Sequence, residues 1–567
     1  MREYSFPYTE GINKGLRPEA KNPRNSGYLT EAYNVKMGRM GAEPFVALSQ
    51  NIVSPWGTPY DPVFESEHTP QIFATRAGNY LCDPDAIYNL GSNFLPPDDG
   101  FGGYEVYLWS DNSWYNANWS LADFGQYQIW CDAKHIYEAF PHLGYGLVVT
   151  LDFTSTIPYG ITEHYLVGRL LIYTVAAMGG RLFLTGRVDF FAPSTHGGAY
   201  VQSDYLVRDK VFWSRAGGMG AADILRIIEL FSGIMQTGSE SDKPGAGSVT
   251  VPWSGGVEVL KALGNKMMAY VRGSDLNLLG VPVGEGGTDS FWSGQGGGVA
   301  ALTQYTSPYP TFGVDVIREV GVPGYCRPVA GDDKRHVFMD VDGVLWTIDA
   351  NMKLDRLGYE EFFYPYLSKG NPPDYYAPGV YISHDPVNDD YYIRIGGGAG
   401  TASVFSKCWL LSKNGLSEVF QQVSSVAPMT NMTASPYLRT IQAMCKPAGT
   451  DLSAFACTDT VDMGTRGIKT ITGLEIGASN VTAMTANVDY KYQTNEAFTA
   501  STPKPIHRNG TVTPMIAGTD FRVRVKSINY VDFDLDSLSI RWKLNDNRMI
   551  RGLHESTSSK SFPRSTG

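Results

Sequence analysis

The carboxylates are the residues of this chain whose grouping most invites a chemical reading. Asp340-Val-Asp342-Gly343 opens with the alternating acidic oxygens of a calcium loop, but the rest of such a loop is missing. Set between two apolar stretches, the same four residues are what a tight hairpin turn requires, and a turn is the simpler reading. Asp532-Phe-Asp534-Leu-Asp536 puts three carboxylates on one face of an extended strand, about 7 Å apart. That spacing is open to a metal ion or a glycosidase pair, although a solvated or lumen-facing strand explains it with fewer assumptions. Asp332-Asp333 and Asp389-Asp390 read as surface turns.

No other grouping completes a reactive site. The nine histidines, His68, His135, His142, His164, His196, His336, His384, His507 and His554, form neither HExxH nor H-x-x-x-H. G-x-S-x-G, the phosphate-loop signature and the sialidase Asp box are missing. Gly294-Gln-Gly-Gly-Gly298 reads as a flexible loop, because no Lys-Ser/Thr pair and helix follow it. The six cysteines, Cys82, Cys131, Cys326, Cys408, Cys445 and Cys457, are scattered without a C-x-x-C pair. They suit core positions better than a disulfide scaffold or a zinc site. The segment Trp109–Trp119, WSDNSWYNANW, fits sugar binding or an interface, but core and sheet-edge packing fits it better. No catalytic, cofactor-binding or metal-ligating residue is assigned, and a non-enzymatic protein without cofactor is expected.

The elements that would position any site are strands. Aromatic residues make up 13% of the 567 residues, with 62 Gly and 33 Pro, the makings of many short strands joined by tight turns. Alternation with period two runs through Tyr104–Trp109, Gln126–Cys131, Tyr145–Leu151, Arg169–Val175, Arg181–Leu184 and Val211–Trp213. It returns in Lys266–Val271, Leu276–Val281, His336–Asp340, Val344–Ile348, Tyr391–Ile395 and Cys408–Leu411. Turn chemistry falls between them at Met178-Gly179-Gly180, Gly273-Ser274-Asp275, Asp342-Gly343 and Lys413-Asn414-Gly415. Three strand–turn–strand units, starting at Lys266, His336 and Lys407, repeat at a spacing of about 70 residues, the mark of a sheet repeated around an axis. One helix is expected, Ala221–Gly233, with isoleucines at helical spacing.

The expected fold is all-β. Residues 1–60 form an extended N-terminal arm with one strand, Leu29–Met37. Residues 61–430 form a β-propeller of roughly six blades. A linker at 428–436 leads to a C-terminal β-sandwich at 437–553, and 554–567 form a flexible tail. The net charge of −11 argues against a general nucleic-acid binder, yet an acidic wall lets a polyanion slide. No apolar run is long enough to span a membrane and no signal core opens the chain, so synthesis in the cytosol is expected.

A family resemblance rests on short motifs in order along the chain. Near the start stand a Gly-x-Asn opening and Gly27-Tyr-Leu-Thr-Glu-Ala-Tyr-Asn34-Val35. Farther on come Trp119-Ser-Leu-Ala-Asp-Phe-Gly125, Gly180-Arg-Leu-Phe-Leu-Thr-Gly, Val211-Phe-Trp213-Ser214, Phe338-Met-Asp-Val-Asp-Gly-Val-Leu and Leu354-Asp-Arg-Leu-Gly. Toward the end are Thr458-Asp459-Thr-Val-Asp462-Met-Gly464-Thr-Arg-Gly-Ile-Lys469-Thr-Ile and Leu538-Ser-Ile-Arg-Trp542-Lys-Leu-Asn-Asp-Asn-Arg-Met-Ile-Arg-Gly552. Together these resemble the tail-nozzle, or tail-hub, proteins of short-tailed bacteriophages. The resemblance implies a structural virion protein, a homo-oligomeric ring and often a hexamer, lying below the portal and adaptor. It would hold adaptor and fibre proteins and pass viral DNA through its lumen without specific binding. A neck or stopper protein shares these motifs. A receptor- or glycan-binding tail adhesin and a propeller hydrolase using Asp534 and Asp536 are the rivals from other classes.

Overall fold

A computed structural model describes side chains across most of 3–45, 174–185, 209–216, 246–273, 296–323, 328–367, 380–395, 407–419 and 453–545, and backbone strands within 47–191 and 423–449. The protein is nearly all-β. Its described strands form sheets that are almost wholly antiparallel. The expected strands Tyr104–Trp109 and Leu276–Val281, the helix Ala221–Gly233, the linker at 428–436, the tail and Trp109–Trp119 lie outside the described residues. A short helix that the periodicity did not indicate, Glu360–Leu367, follows the strand Leu354–Gly358. No helix among the described residues is long and apolar enough to cross a membrane. The chain divides into two compact units.

The larger unit comprises Gln50–Lys407 and Gln422–Lys446. Its strands follow one another as meanders: a three-stranded sheet within 71–89, four strands within 120–150, five within 152–250, four within 257–318 and four within 329–358. The hairpin Val380–Asp385/Asp390–Ile395 comes next. Last come the paired strands Val423–Ala427 and Tyr437–Thr440. From 120 onward each group lies against the next. Phe183, Trp213, Leu260, Met267 and Phe312 bury one interface, between the 152–250 and 257–318 sheets. Tyr270, Val299, Val329, Phe338 and Ile348 bury the next, between the 257–318 and 329–358 sheets. Both faces of the middle sheet are covered, so Lys266–Val271 is apolar almost throughout rather than alternating.

The turn at Gly179-Gly180 adopts φ of 58° and 69°, as its residue types require. The unit starting at Lys266 is built differently from its expected form. Lys266–Val271 pairs with Val257–Leu263 on one side and Val299–Tyr305 on the other. After Val271 the backbone enters a glycine junction. The amide of Gly273 donates to Val322 at 3.1 Å, and Val322 donates to Val271 at 3.0 Å. A Cβ on Gly297 would meet the Arg272 carbonyl oxygen at 2.0 Å, and one on Gly321 the Val271 carbonyl oxygen at 2.4 Å. Gly296–Gly298, read from sequence as part of a flexible loop, is thus where three backbone segments touch.

The smaller unit comprises Met1–Ser49, Cys408–Gln421 and Pro447–Gly567. One sheet runs Val35–Met37, Ala42–Pro44, Leu535–Leu544, Lys469–Ala478, Thr511–Val512, with Glu3–Pro7 also on Leu535–Leu544. A second runs Gly415–Val419, Leu29–Tyr33, Phe455–Thr458, Asp520–Ser527, Met484–Lys491. Each buries alternate side chains, Leu474, Ile476, Leu538 and Ile540 in one, Val488, Val523 and Val525 in the other. The stretch Leu29–Met37, expected as one strand, breaks at Asn34, where φ is 52°. Its halves join different sheets, a division that Asn tolerates.

Two expected boundaries differ from the structure. The N-terminal segment is woven through both sheets of the smaller unit, because its backbone groups find partners on Phe455–Thr458 and Leu535–Leu544. The third repeating hairpin, Lys407–Ser412/Gly415–Val419, forms as expected. From Cys408 onward it belongs to this smaller unit rather than to the propeller region. Glu418 pairs in parallel with Tyr33, and the Ser412 hydroxyl donates to the Met37 carbonyl at 3.0 Å.

Candidate functional site

Asp340 ends the strand Arg335–Met339 and is fully buried. Its Oδ1 accepts the amides of Asp342, at 3.0 Å, and Val344, at 2.9 Å. Its Oδ2 accepts Trp346 Nε1 at 2.9 Å and Arg318 Nη2 at 2.8 Å. The Arg318 guanidinium lies 3.9 Å from the centroid of the Trp346 ring. Burial pushes the carboxyl up, and the Val344 amide, the Trp346 indole and Arg318 oppose that shift. Every oxygen is held by protein donors, so the residue organises a turn. Among the described residues no three His, Cys, Asp or Glu side chains are placed to share a metal ion.

The acidic pair nearest the C-terminus separates in the same way. The strand begins at Leu535, leaving Asp534 before it, where its amide donates to the Ser479 hydroxyl at 2.9 Å. Asp536 is exposed and accepts the Ser537 hydroxyl at 2.8 Å. Asp532 lies outside the described residues.

The structure brings together what the sequence read as two separate surface turns. Asp332 Oδ1 accepts the amides of Lys334 and Arg335, both at 3.0 Å. Burial raises its carboxyl, but these amides outweigh it and hold the group below its ordinary value. Arg335 Nη2 reaches Asp389 Oδ1 at 2.7 Å, and His384 Nε2 lies 3.5 Å from the same oxygen. The His384 ring stacks on Tyr391, with centroids 4.5 Å apart. Burial pushes the Tyr391 hydroxyl up to about 12, against the pull of Arg335. Asp389 does sit in a turn, at φ 56°, but Asp390 is a buried strand residue opposite Asp385. The cluster fastens the 332–335 turn to the 380–395 hairpin, and no nucleophile stands beside a base.

His336, one step along the same strand, is a core residue. Its Nε2 donates to the Ala262 carbonyl and its Nδ1 accepts the Tyr270 hydroxyl, both at 2.9 Å. Burial, with Lys261 nearby, lowers its pKa from 6.5 to about 3. The folded-state value is depressed, so this contribution is fully present above the unfolded pKa and is lost as pH falls from there toward 3. Moving from pH 7 to pH 5 is expected to cost about 2 kcal/mol through this residue. Urea titrations across that range check it, and His336→Gln should flatten the slope.

The densest polar construction lies in the smaller unit, where motif segments from the two ends of the chain meet. Leu29–Tyr33 pairs with Phe455–Thr458, and the Thr30 hydroxyl donates to the Thr458 carbonyl at 2.6 Å. Asp459 is buried. It accepts the Ser26 hydroxyl at 2.5 Å and the Thr460 amide at 2.6 Å, and Arg17 lies 3.6 Å away. The Tyr8 hydroxyl donates to the Tyr28 carbonyl and accepts the Asp459 amide, and burial pushes its pKa up. The Asp462 amide donates to Asn25 Oδ1 at 3.1 Å. Behind this turn the fully buried Lys469 donates to the carbonyls of Asp462, at 2.8 Å, and Thr465, at 2.6 Å. Tyr8, Arg17 and Ser26 carry no motif of their own, and their role is visible only once the two ends pair.

No family model and no curated protein matches the chain. Among solved structures, the N-terminal domain of Nup159 aligns over 62% of this chain and 77% of its own, at 9% identity and a TM-score of 0.28. An exo-β-1,3-galactanase from Phanerochaete chrysosporium aligns over 75% and 95%, at 8% identity and a TM-score of 0.18. The tricorn protease aligns over 70% and 44%, at 9% identity and a TM-score of 0.14. At these scores the likenesses carry no argument about fold or function.

Proposed function

We propose that this chain is a structural subunit of a bacteriophage tail, a nozzle or hub that tiles into a ring and conducts DNA, working mechanically rather than by catalysis. The observation carrying the reading is that the motif segments of the resemblance, Gly27–Val35 and Thr458–Gly464, form one strand-paired construction across 428 residues of sequence. The larger unit supports it. Its sheets and hairpin stack in chain order. We take these as blades closed into a propeller, seven groups among the described residues where roughly six blades were expected, and we take the smaller unit as a sandwich. Subunits meeting through unlike patches close a ring. Adaptor and fibre proteins would attach outside, and the ring would reside in the virion.

Electron microscopy and light scattering of the purified chain, alone and with portal and adaptor proteins, test the reading. Closed rings of defined order are expected. A chain that stays monomeric in every mixture, or that captures a glycan on an array while never assembling, overturns it in favour of an adhesin.

A further inference from the structure

The sheet within 257–318 ends in a strand with one open edge. Thr311–Arg318 pairs with Val299–Tyr305 on one side. Among the described residues no strand pairs with its other side, and no backbone group of 311–317 bonds outside that ladder. Alternate residues therefore turn an unpaired N–H and C=O outward. Edges of this kind are usually blunted by Lys, Pro or an inward charge. This one reads TFGVDVIR, with neither Lys nor Pro. Its carboxylate, Asp315, is turned along its own sheet, where it accepts the Thr303 hydroxyl at 2.7 Å and lies 3.8 Å from Lys266 Nζ. A bulge at Ile317 leaves 311–316 regular. Val316 is 50% exposed, and Tyr305, opposite Thr311, is 53% exposed.

An unpaired row of amides and carbonyls selects an extended backbone, and the side chains select which one. Bonded and non-bonded rows alternate in an antiparallel pair, so two identical strands related by a two-fold axis must set one residue against its own copy. Centring on Asp315 would put two carboxylates directly opposite each other. Centring on Gly313 sets Val316 against Pro310, which has no amide, and centring on Val316 draws the bulge into the ladder. Centring on Val314 sets Val314 against itself, Phe312 against Val316 and Gly313 against Asp315. The apolar pairs then share one face, and glycine leaves room for the carboxylate on the other. Phe312 is held against Trp213, ring centroids 4.9 Å apart, and offers Val316 of the second copy a fixed wall. We infer that the outer edge of Thr311–Arg318 pairs antiparallel with the same edge of a second copy of this chain, in the register centred on Val314. The contact is two-fold, so it is separate from the unlike patches that would close a ring.

Sedimentation velocity of the full chain over a dilution series, with cysteine cross-linking under mild oxidation, tests the inference. V314C places two thiols in one row, within reach of a disulfide, and should give a covalent dimer on a non-reducing gel. D315C and V316C would face Gly313 and Phe312, and should give no more dimer than the parent, whose own cysteines set the background. V316K loses two symmetry-related apolar pairs and should weaken the dimer by roughly tenfold. A chain that sediments as a monomer at every concentration overturns the inference. So does equal cross-linking at all three positions, or a V316K dimer as tight as the parent's. Ring formation by V316K is scored separately by microscopy. Rings that persist support a separate two-fold contact, and rings lost together with the dimer would make this edge a ring contact and overturn the two-fold register.

Discussion

Asp340→Ala is expected to destabilise the larger unit by roughly 3–5 kcal/mol, the range for removing one partner of a buried, hydrogen-bonded ion pair. The carboxylate serves four donors, the amides of Asp342 and Val344, the Trp346 indole and the Arg318 guanidinium. Alanine leaves all four without their acceptor. The Arg318 side chain is only 19% exposed, so water compensates it poorly. Asp340→Asn keeps an acceptor for the turn but loses the charge, and about 1–3 kcal/mol is expected. Urea unfolding followed by tryptophan fluorescence measures both. An alanine variant within about 1 kcal/mol of the parent would show that the turn stands without its carboxylate.

Gly297→Ala is expected to cost roughly 3 kcal/mol or more, or to prevent folding. The added carbon would fall 2.0 Å from the Arg272 carbonyl oxygen and 2.6 Å from the Gly273 Cα. Both obstacles are backbone, so no side-chain rotation relieves them. The contact also lies beside the hydrogen bond from the Val271 amide to the Gly298 carbonyl, at 2.8 Å. Gly179→Ala is the control. Its φ is 58° but nothing lies within 4 Å of the added carbon, so only the left-handed backbone penalty of about 1–2 kcal/mol applies. Similar losses for the two variants would mean that the junction relaxes.

Period-two alternation made strands legible, as at Val211–Trp213 and Tyr391–Ile395, which fall on the strands Lys210–Trp213 and Asp390–Ile395. Turn residues marked the hairpin at Asp342-Gly343, because the carboxylate, the glycine and the apolar flanks all point to the same local geometry. What could not be read was long-range partnership. Nothing local to Lys407–Val419 says that Glu418 will lie beside Tyr33, so this hairpin looked like another repeat of the larger unit. Asp390 looked like a surface residue because the turn chemistry of its neighbour hid its place in the buried strand opposite Asp385. The Asp332–Arg335 turn and the His384–Tyr391 hairpin lie about 50 residues apart, and only the stacking of their sheets brings them to one place. The same holds for Arg17 and Ser26, ordinary residues until Asp459 is set beside them.

The pairing of Thr30 with Thr458 has a consequence for synthesis. At a translation rate of about 5–20 residues per second, the 428 residues between them take roughly 20–90 seconds to appear. Until then Leu29–Tyr33 lacks its partner Phe455–Thr458 and Glu3–Pro7 its partner Leu535–Leu544, while the larger unit's sheets emerge and can form. The smaller unit is therefore the last part of the protein to be finished, and nascent chains stalled before residue 455 should carry an N-terminus open to proteases and chaperones.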